Sequence, residues 1–214
     1  MRGLWISIIA LGFLLVGCSI SANHAKGVYV LIAVEGVADA SLEKARAGVN
    51  YLLTTLQPND TLGIARIDTG SFNEKNIIAA LTFDQRPSVV IRQKRIVKAH
   101  LDEFAAHASG GSYADISGGI LHAIEYLNAA GCRQKYILLF SDLKEARHQD
   151  YRQEIFFQLS GFTVIAFEPD SPPSPGRPAM DPERVEKWRR KVEGGNGKWQ
   201  TVKDSAALTG ILEN

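Results

Sequence analysis

Two cysteines in 214 residues, Cys18 and Cys132, are too few for a disulfide framework. No Cys-x-x-Cys pair or Cys/His cluster is present to hold zinc. Neither sign of charge dominates: 24 Lys and Arg stand against 23 Asp and Glu, which leaves no general electrostatic claim on nucleic acid or anionic lipid. The five histidines, His24, His100, His107, His122 and His148, include no two at metal-ligand spacing tied to a glutamate, and each is expected at the surface. The Gly-x-Ser-x-Gly elbow of a serine hydrolase is missing. Gly194-Gly-Asn-Gly-Lys198 lacks the Ser or Thr of a phosphate loop and follows a helical pattern instead of a strand. What remains, 45% hydrophobic and 22% charged, is ordinary for one globular domain with a small appendage.

The appendage is at the N-terminus. Met1-Arg2 precedes an uncharged apolar run from Leu4 to Val16 and then Gly17-Cys18, the order of a secretory signal peptide. The run falls short of the ~20 residues that a spanning helix needs. Leu15-Val16-Gly17-Cys18 resembles the lipobox of bacterial lipoproteins, which implies cleavage before Cys18 and acylation of its thiol. Cys132 would then have no disulfide partner, and a small buried thiol is expected there. Ser19 in place of an aspartate implies, by the same resemblance, no retention in the inner membrane, so the expected location is the bacterial cell envelope, at the outer membrane if the cell is Gram-negative. Ser19 to Lys26 reaches at most roughly 28 Å when extended, so the folded part must lie near the bilayer.

Beyond the linker, strand and helix patterns alternate. Gly27–Val34 is a continuous apolar run fit for a buried strand. Leu42, Ala45, Val49, Leu52, Leu53 and Leu56 recur at helical spacing until Pro58-Asn59-Asp60 stops them. Thr61–Ile67 and Ile77–Phe83 are the next strands, the latter of edge character. Pro87–Ala106 is a helix with Ile96, Leu101, Phe104 and Ala105 as expected core; its Arg92, Lys94, Arg95 and Lys98 are expected to form a solvated face. Ile116, Ile120, Leu121, Ile124 and Leu127 mark a third helix ending at Gly131.

The central strand follows in Lys135-Tyr-Ile-Leu-Leu-Phe-Ser-Asp142, which ends in a hydroxyl and a carboxylate where an open parallel sheet keeps its chemistry. The alternative is that Asp142 merely caps a loop or the next helix. Tyr151–Leu159 is expected as a short helix closed by Gly161, and Phe162–Phe167 as a fifth strand. Pro172–Pro178 is a stiff loop. Asp181-Pro182-Glu183 opens a further helix, Lys198–Val202 is a last strand, and Asp204–Leu212 a final short helix. The alternation predicts an α/β fold with a doubly wound, mostly parallel sheet flanked by helices.

Three loops and the order of elements resemble a von Willebrand factor type A domain. In that family a strand ending in Asp-x-Ser-x-Ser, a glycine-following Thr loop and a later strand ending in Asp form a metal-ion-dependent adhesion site. Ile-Leu-Leu-Phe-Ser-Asp142 fits the third loop, and Ser109-Gly-Gly-Ser-Tyr-Ala-Asp-Ile-Ser-Gly-Gly-Ile120 the second, with Ala114 in the threonine slot unless Ser112 substitutes for it. The first loop departs from the pattern. With Glu35 in the aspartate slot the serine slots hold Val37 and Asp39; in the other register, set by Gly36, they hold Glu35 and Val37, and Ala33 takes the aspartate slot. Valine and alanine offer no oxygen to a hard cation. The resemblance therefore implies a degenerate site, expected to be metal-free; Mg2+ or another divalent cation would need Glu35, Asp39, Ser112, Asp115, Ser141 and Asp142.

The N-terminal pattern, the lipobox resemblance and the type A resemblance together divide the chain into a signal peptide (1–17), a lipidated cysteine with a short linker (18–26) and one domain (27–214). They imply a lipid-anchored envelope protein that is not an enzyme and binds a protein partner through Glu35, Asp39, Ser112, Tyr113, Asp115 and Asp142, with no nucleic acid involved. The competing expectation is a metal-dependent hydrolase using the same acidic rim. A cluster of Asp142, Glu145, His148 and Asp150 could serve it, although a solvated loop is the expected state.

Overall fold

The computed structural model describes residues 25–34, 40–67, 72–108, 114–145, 155–168 and 181–212. The strands are β1 (Lys26–Ile32), β2 (Thr61–Arg66), β3 (Ile77–Thr82), β4 (Gln134–Phe140), β5 (Phe162–Phe167) and β6 (Lys198–Val202). The helices are α1 (Ala40–Thr55), α2 (Pro87–His107), α3 (Ile116–Ala129), α4 (Pro182–Gly194) and α5 (Leu208–Leu212). Short 3-10 turns at Glu74–Asn76 and Ser205–Ala207 precede β3 and α5.

The strands form one sheet in the order β3-β2-β1-β4-β5-β6. Only β3 runs antiparallel, pairing with β2 at the edge with a register shift between Ile64 and Ala65. Residues 28–32 of β1 are wholly buried because both faces of that strand are covered, which is why it reads as an unbroken apolar run. Val28, Val30 and Ile32 face α1 and α2, packing with Val49, Leu52 and Leu101. Tyr29 and Leu31 face α3 and α4, packing with Ile120, Leu127 and Trp188. No helix among the described residues is long and apolar enough to cross a membrane.

Close packing explains one strand residue that propensity does not. Gly63 in β2 sits opposite Tyr29, and a Cβ there would lie 2.3 Å from two carbons of the tyrosine ring.

Three expectations are corrected. The stretch before β5 is not helical: residues 155–159 have no regular secondary structure, and residues 151–154 lie outside the described set. Phe157 and Leu159 are buried while Phe156 is 85% exposed, an alternation of period two. The Leu159 amide donates to the Gly195 carbonyl (2.7 Å), so the segment is pinned in extended form against the loop after α4. In α2, Ile96 is 49% exposed; the core stripe is Val90, Val97 and Leu101, with Phe104 beside it.

The third correction concerns His122, which is half-buried instead of superficial. Its Nδ1 shares a 2.9 Å hydrogen bond with the Tyr29 hydroxyl, and its ring lies 5.0 Å from Phe72 and 6.3 Å from Tyr126. Burial outweighs the nearby Glu125 and Glu74 carboxylates and holds the imidazole below its ordinary value of 6.5. Burial also pushes the Tyr126 phenol up to about 12. The folded protein thus binds fewer protons at His122 than the unfolded chain does. The stability this site contributes is complete above the unfolded value and is lost as pH falls through the folded one. The urea midpoint is expected to fall on acidification below neutrality, and to fall less in His122→Gln; equal slopes would remove His122 from the account.

Candidate functional site

Strand order reverses between β1 and β4. β1 hands the chain to β2 on one side, while β4 and β5 continue on the other, and it is outside the carboxyl edge at such a point that open α/β sheets bind ligands. The Ala33 amide donates to the Phe140 carbonyl (2.9 Å) and the Ile67 amide to the Ile32 carbonyl (2.8 Å), fixing the three strand ends. The start of α3 joins them there, because the Asp115 amide donates to the Ile67 carbonyl (2.8 Å).

Asp115 caps α3, and each of its carboxylate oxygens accepts a hydrogen bond. One oxygen accepts from the Gly118 amide and the other from the Phe72 amide, both at 2.9 Å. An N-cap of this kind contributes about 1 kcal/mol to its helix.

The loop after β4 is fixed from within and from α4. Ser141 is 3% exposed, and its Oγ accepts from the Leu143 amide (3.1 Å). Asp142 Oδ1 accepts from the Lys144 amide (2.8 Å). Asp142 Oδ2 and the Asp142 carbonyl both accept from Arg184, at 3.0 and 3.2 Å, and Arg184 also pairs with Asp181 at 3.3 Å. Leu143 holds a left-handed backbone (φ 61°) although it is buried. For a leucine this costs on the order of 1–3 kcal/mol and persists only where the surroundings over-determine it. The indole N–H of Trp188, donating to the Leu143 carbonyl (3.1 Å), is one such constraint.

Glu145 ties this loop to α3. Its Oε1 accepts from the Ser117 amide (3.0 Å) and its Oε2 lies 3.4 Å from Lys191 Nζ, with the two side chains 9% and 14% exposed. Lys191 also sits 4.5 Å above the Trp188 ring.

Of the residues expected at the rim, Asp115, Ser141 and Asp142 are therefore placed at the carboxyl edge of the sheet. Glu35, Asp39, Ser112 and Tyr113 lie outside the described residues, as do Cys18 and His148. The arrangement also includes Arg184, Trp188 and Lys191, which were not expected on the rim, and Glu145, which was expected in a solvated loop and is instead 9% exposed and paired with Lys191. Their signal was present in α4: Arg184, Trp188 and Lys191 recur at helical spacing on one face.

The three described donors are already committed within the protein. Both Asp115 oxygens accept main-chain amides, Ser141 Oγ is buried in its own turn, and an ion at Asp142 would meet the Arg184 guanidinium. Among the described residues no three His, Cys, Asp or Glu side chains gather as a metal-binding group.

The sequence matches no protein-family model and no curated protein. Among solved structures, a von Willebrand factor type A protein from Catenulispora acidiphila superposes with a TM-score of 0.51 at 11% identity, over 87% of this chain and 41% of that one. The manganese-loaded TRAP protein of Plasmodium vivax superposes with a TM-score of 0.47 at 12% identity, over 88% and 72% of the two chains. This chain thus spans well under half the length of the Catenulispora protein. Element order, the 3-2-1-4-5-6 sheet and its antiparallel edge agree with that likeness, and the fold is that of a von Willebrand factor type A domain.

Proposed function

We propose that this is a lipid-anchored protein of the bacterial cell envelope that binds a protein partner through the rim at the carboxyl edge of its sheet, with no catalytic step and no divalent cation. The observation that carries this reading is the loop after β4. It stands at the carboxyl edge where strand order reverses, and it presents the Asp142 side chain, 34% exposed, on a backbone fixed by Ser141, Arg184 and Trp188. Such loops can change without disturbing the sheet beneath them. The fixed cation beside Asp142 is Arg184, which does the neutralising that a metal would otherwise do there. Glu35, Asp39, Ser112 and Tyr113 complete the proposed surface.

The test compares capture of partners from envelope extracts by the intact protein, by Asp142→Ala and by a Glu35→Ala/Asp39→Ala pair. Asp142→Ala removes an ion pair about a third exposed and the acceptor of the Lys144 amide, so its cost to stability is expected to be about 1 kcal/mol. Its cost to capture is expected to reach about tenfold or more, the loss typical of a central polar contact. Capture unchanged by every rim substitution would move the contact surface elsewhere, with the Pro172–Pro178 segment next to be tested.

A further inference from the structure

The overall charge balance conceals a local one, at the opposite end of the sheet from the rim. The first half of α2, residues 87–99, contains Arg92, Lys94, Arg95 and Lys98 and no acidic residue. Lys94 is engaged with the Leu56 carbonyl (2.7 Å) and Lys98 with Asp102 (2.8 Å). Arg92 and Arg95 are exposed, with no ion pair or hydrogen bond among the described residues.

Apolar side chains stand between them. Ile91 is 54% exposed and Ile96 49%, and they are two of the three large exposed hydrophobics among the described residues. Residues four apart are neighbours on a helix, so Ile91 lies beside Arg95 and Arg92 beside Ile96. Single exposed isoleucines are unremarkable on a protein surface. Two of them interleaved with two unpaired arginines form a face that is both cationic and apolar, the combination by which helices lie against anionic membranes.

With the lipid anchor proposed above, the path of the chain sets the bilayer near this face. β1 begins at this end of the sheet, where the Lys26 amide donates to Asp60 (2.9 Å). Lys94, through Leu56 at the end of α1, and Gln93, which accepts from the Asp84 amide (2.9 Å), hold the start of α2 at the same end. The linker from Ser19 reaches at most roughly 28 Å.

We infer that the Ile91, Arg92, Arg95 and Ile96 face of α2 docks on anionic phospholipid headgroups and turns the carboxyl-edge rim away from the membrane. This rests on the lipid-anchor reading given above. Aromatic side chains that would stack on bases are missing from this face, which argues against single-stranded nucleic acid.

The experiment uses the full-length chain, isolated in its processed form and reconstituted into phosphatidylcholine vesicles with or without phosphatidylglycerol. A fluorophore is carried on Ser88→Cys or, as a control at the rim, on Lys144→Cys; the native Cys132 is buried. With phosphatidylglycerol present, the dye at 88 is expected to be quenched by headgroup-labelled lipid and the dye at 144 is not. Arg92→Glu/Arg95→Glu is expected to lower the docked population on the order of tenfold or more, and so is high salt. Arg92→Gln/Arg95→Gln, a milder change, should give a smaller loss in the same direction at an unaltered circular dichroism spectrum.

Retention on vesicles through a high-salt wash reads the anchor separately. If retention fails, the anchor reading fails, and low-salt sedimentation of the same chain with anionic vesicles still reads the α2 face. Equal quenching in neutral vesicles, or insensitivity to both arginine pairs, would overturn the inference. So would arginine-dependent capture of polyuridylic acid in place of lipid.

Discussion

Alanine in place of Trp188 is expected to destabilise the fold by about 3–5 kcal/mol, the usual range for deleting a buried tryptophan. The ring is 2% exposed, stacks at 6.4 Å on Phe157 and packs against the α3 side of the sheet. For a chain of this length that corresponds to a fall of roughly 10 °C in the melting temperature followed by circular dichroism. The effect should reach the rim as well. Without the indole N–H, the Leu143 carbonyl loses its donor and the left-handed turn loses one of its constraints. Trp188→Phe separates the two contributions. It keeps most of the packing and removes the hydrogen bond, so the stability loss should shrink to about 1–2 kcal/mol while partner capture falls as far as in Asp142→Ala. A Trp188→Ala protein within 1 kcal/mol of the parent would show that α4 is not what holds this loop.

Gly63→Val is the second large effect, and here two considerations point in opposite directions. Valine favours strands and glycine weakens them, so propensity alone predicts a gain of up to about 1 kcal/mol. Packing predicts a loss, because the new Cβ would meet the buried Tyr29 ring at 2.3 Å. Tyr29 has little room to yield: it is wholly buried, bonded to His122 and edge-on to Tyr126 at 5.6 Å. Overpacking of a filled core costs about 1–3 kcal/mol, so after the propensity gain a net loss of about 1–2 kcal/mol is expected in urea titration. Adding Tyr29→Leu should recover part of it, since the two positions share one volume. A Gly63→Val protein as stable as the parent would mean that the ring can swing aside.

The sheet was legible because its strands follow rules that a single sequence displays. β1 and β4 are covered on both faces and read as unbroken apolar runs, and Asp181-Pro182 announces α4. The helix expected before β5 is absent over Ile155–Leu159, where the glycine at 161 was the cue. The alternation of Phe156, Phe157, Gln158 and Leu159 records instead the extended path that Gly195 imposes on it. Ile96 was misplaced by one helical position, since Ile96 and Val97 are adjacent and both aliphatic. His122 was assigned to the surface because its partner, Tyr29, is 93 residues away. The rim showed the same limit: Ser141 and Asp142 follow from strand polarity, whereas Arg184 reaches Asp142 across 42 residues, and no spacing rule joins them.

The pairing of residue 26 with residue 134 at the middle of the sheet has a consequence for biogenesis. During synthesis β1 can find β2 early, but its other edge stays open until β4 has been made, so the sheet cannot close while the chain is still emerging. Such long-range closure makes folding slow. The C-terminal strands, β5 and β6, arrive last and complete the barrier to unravelling.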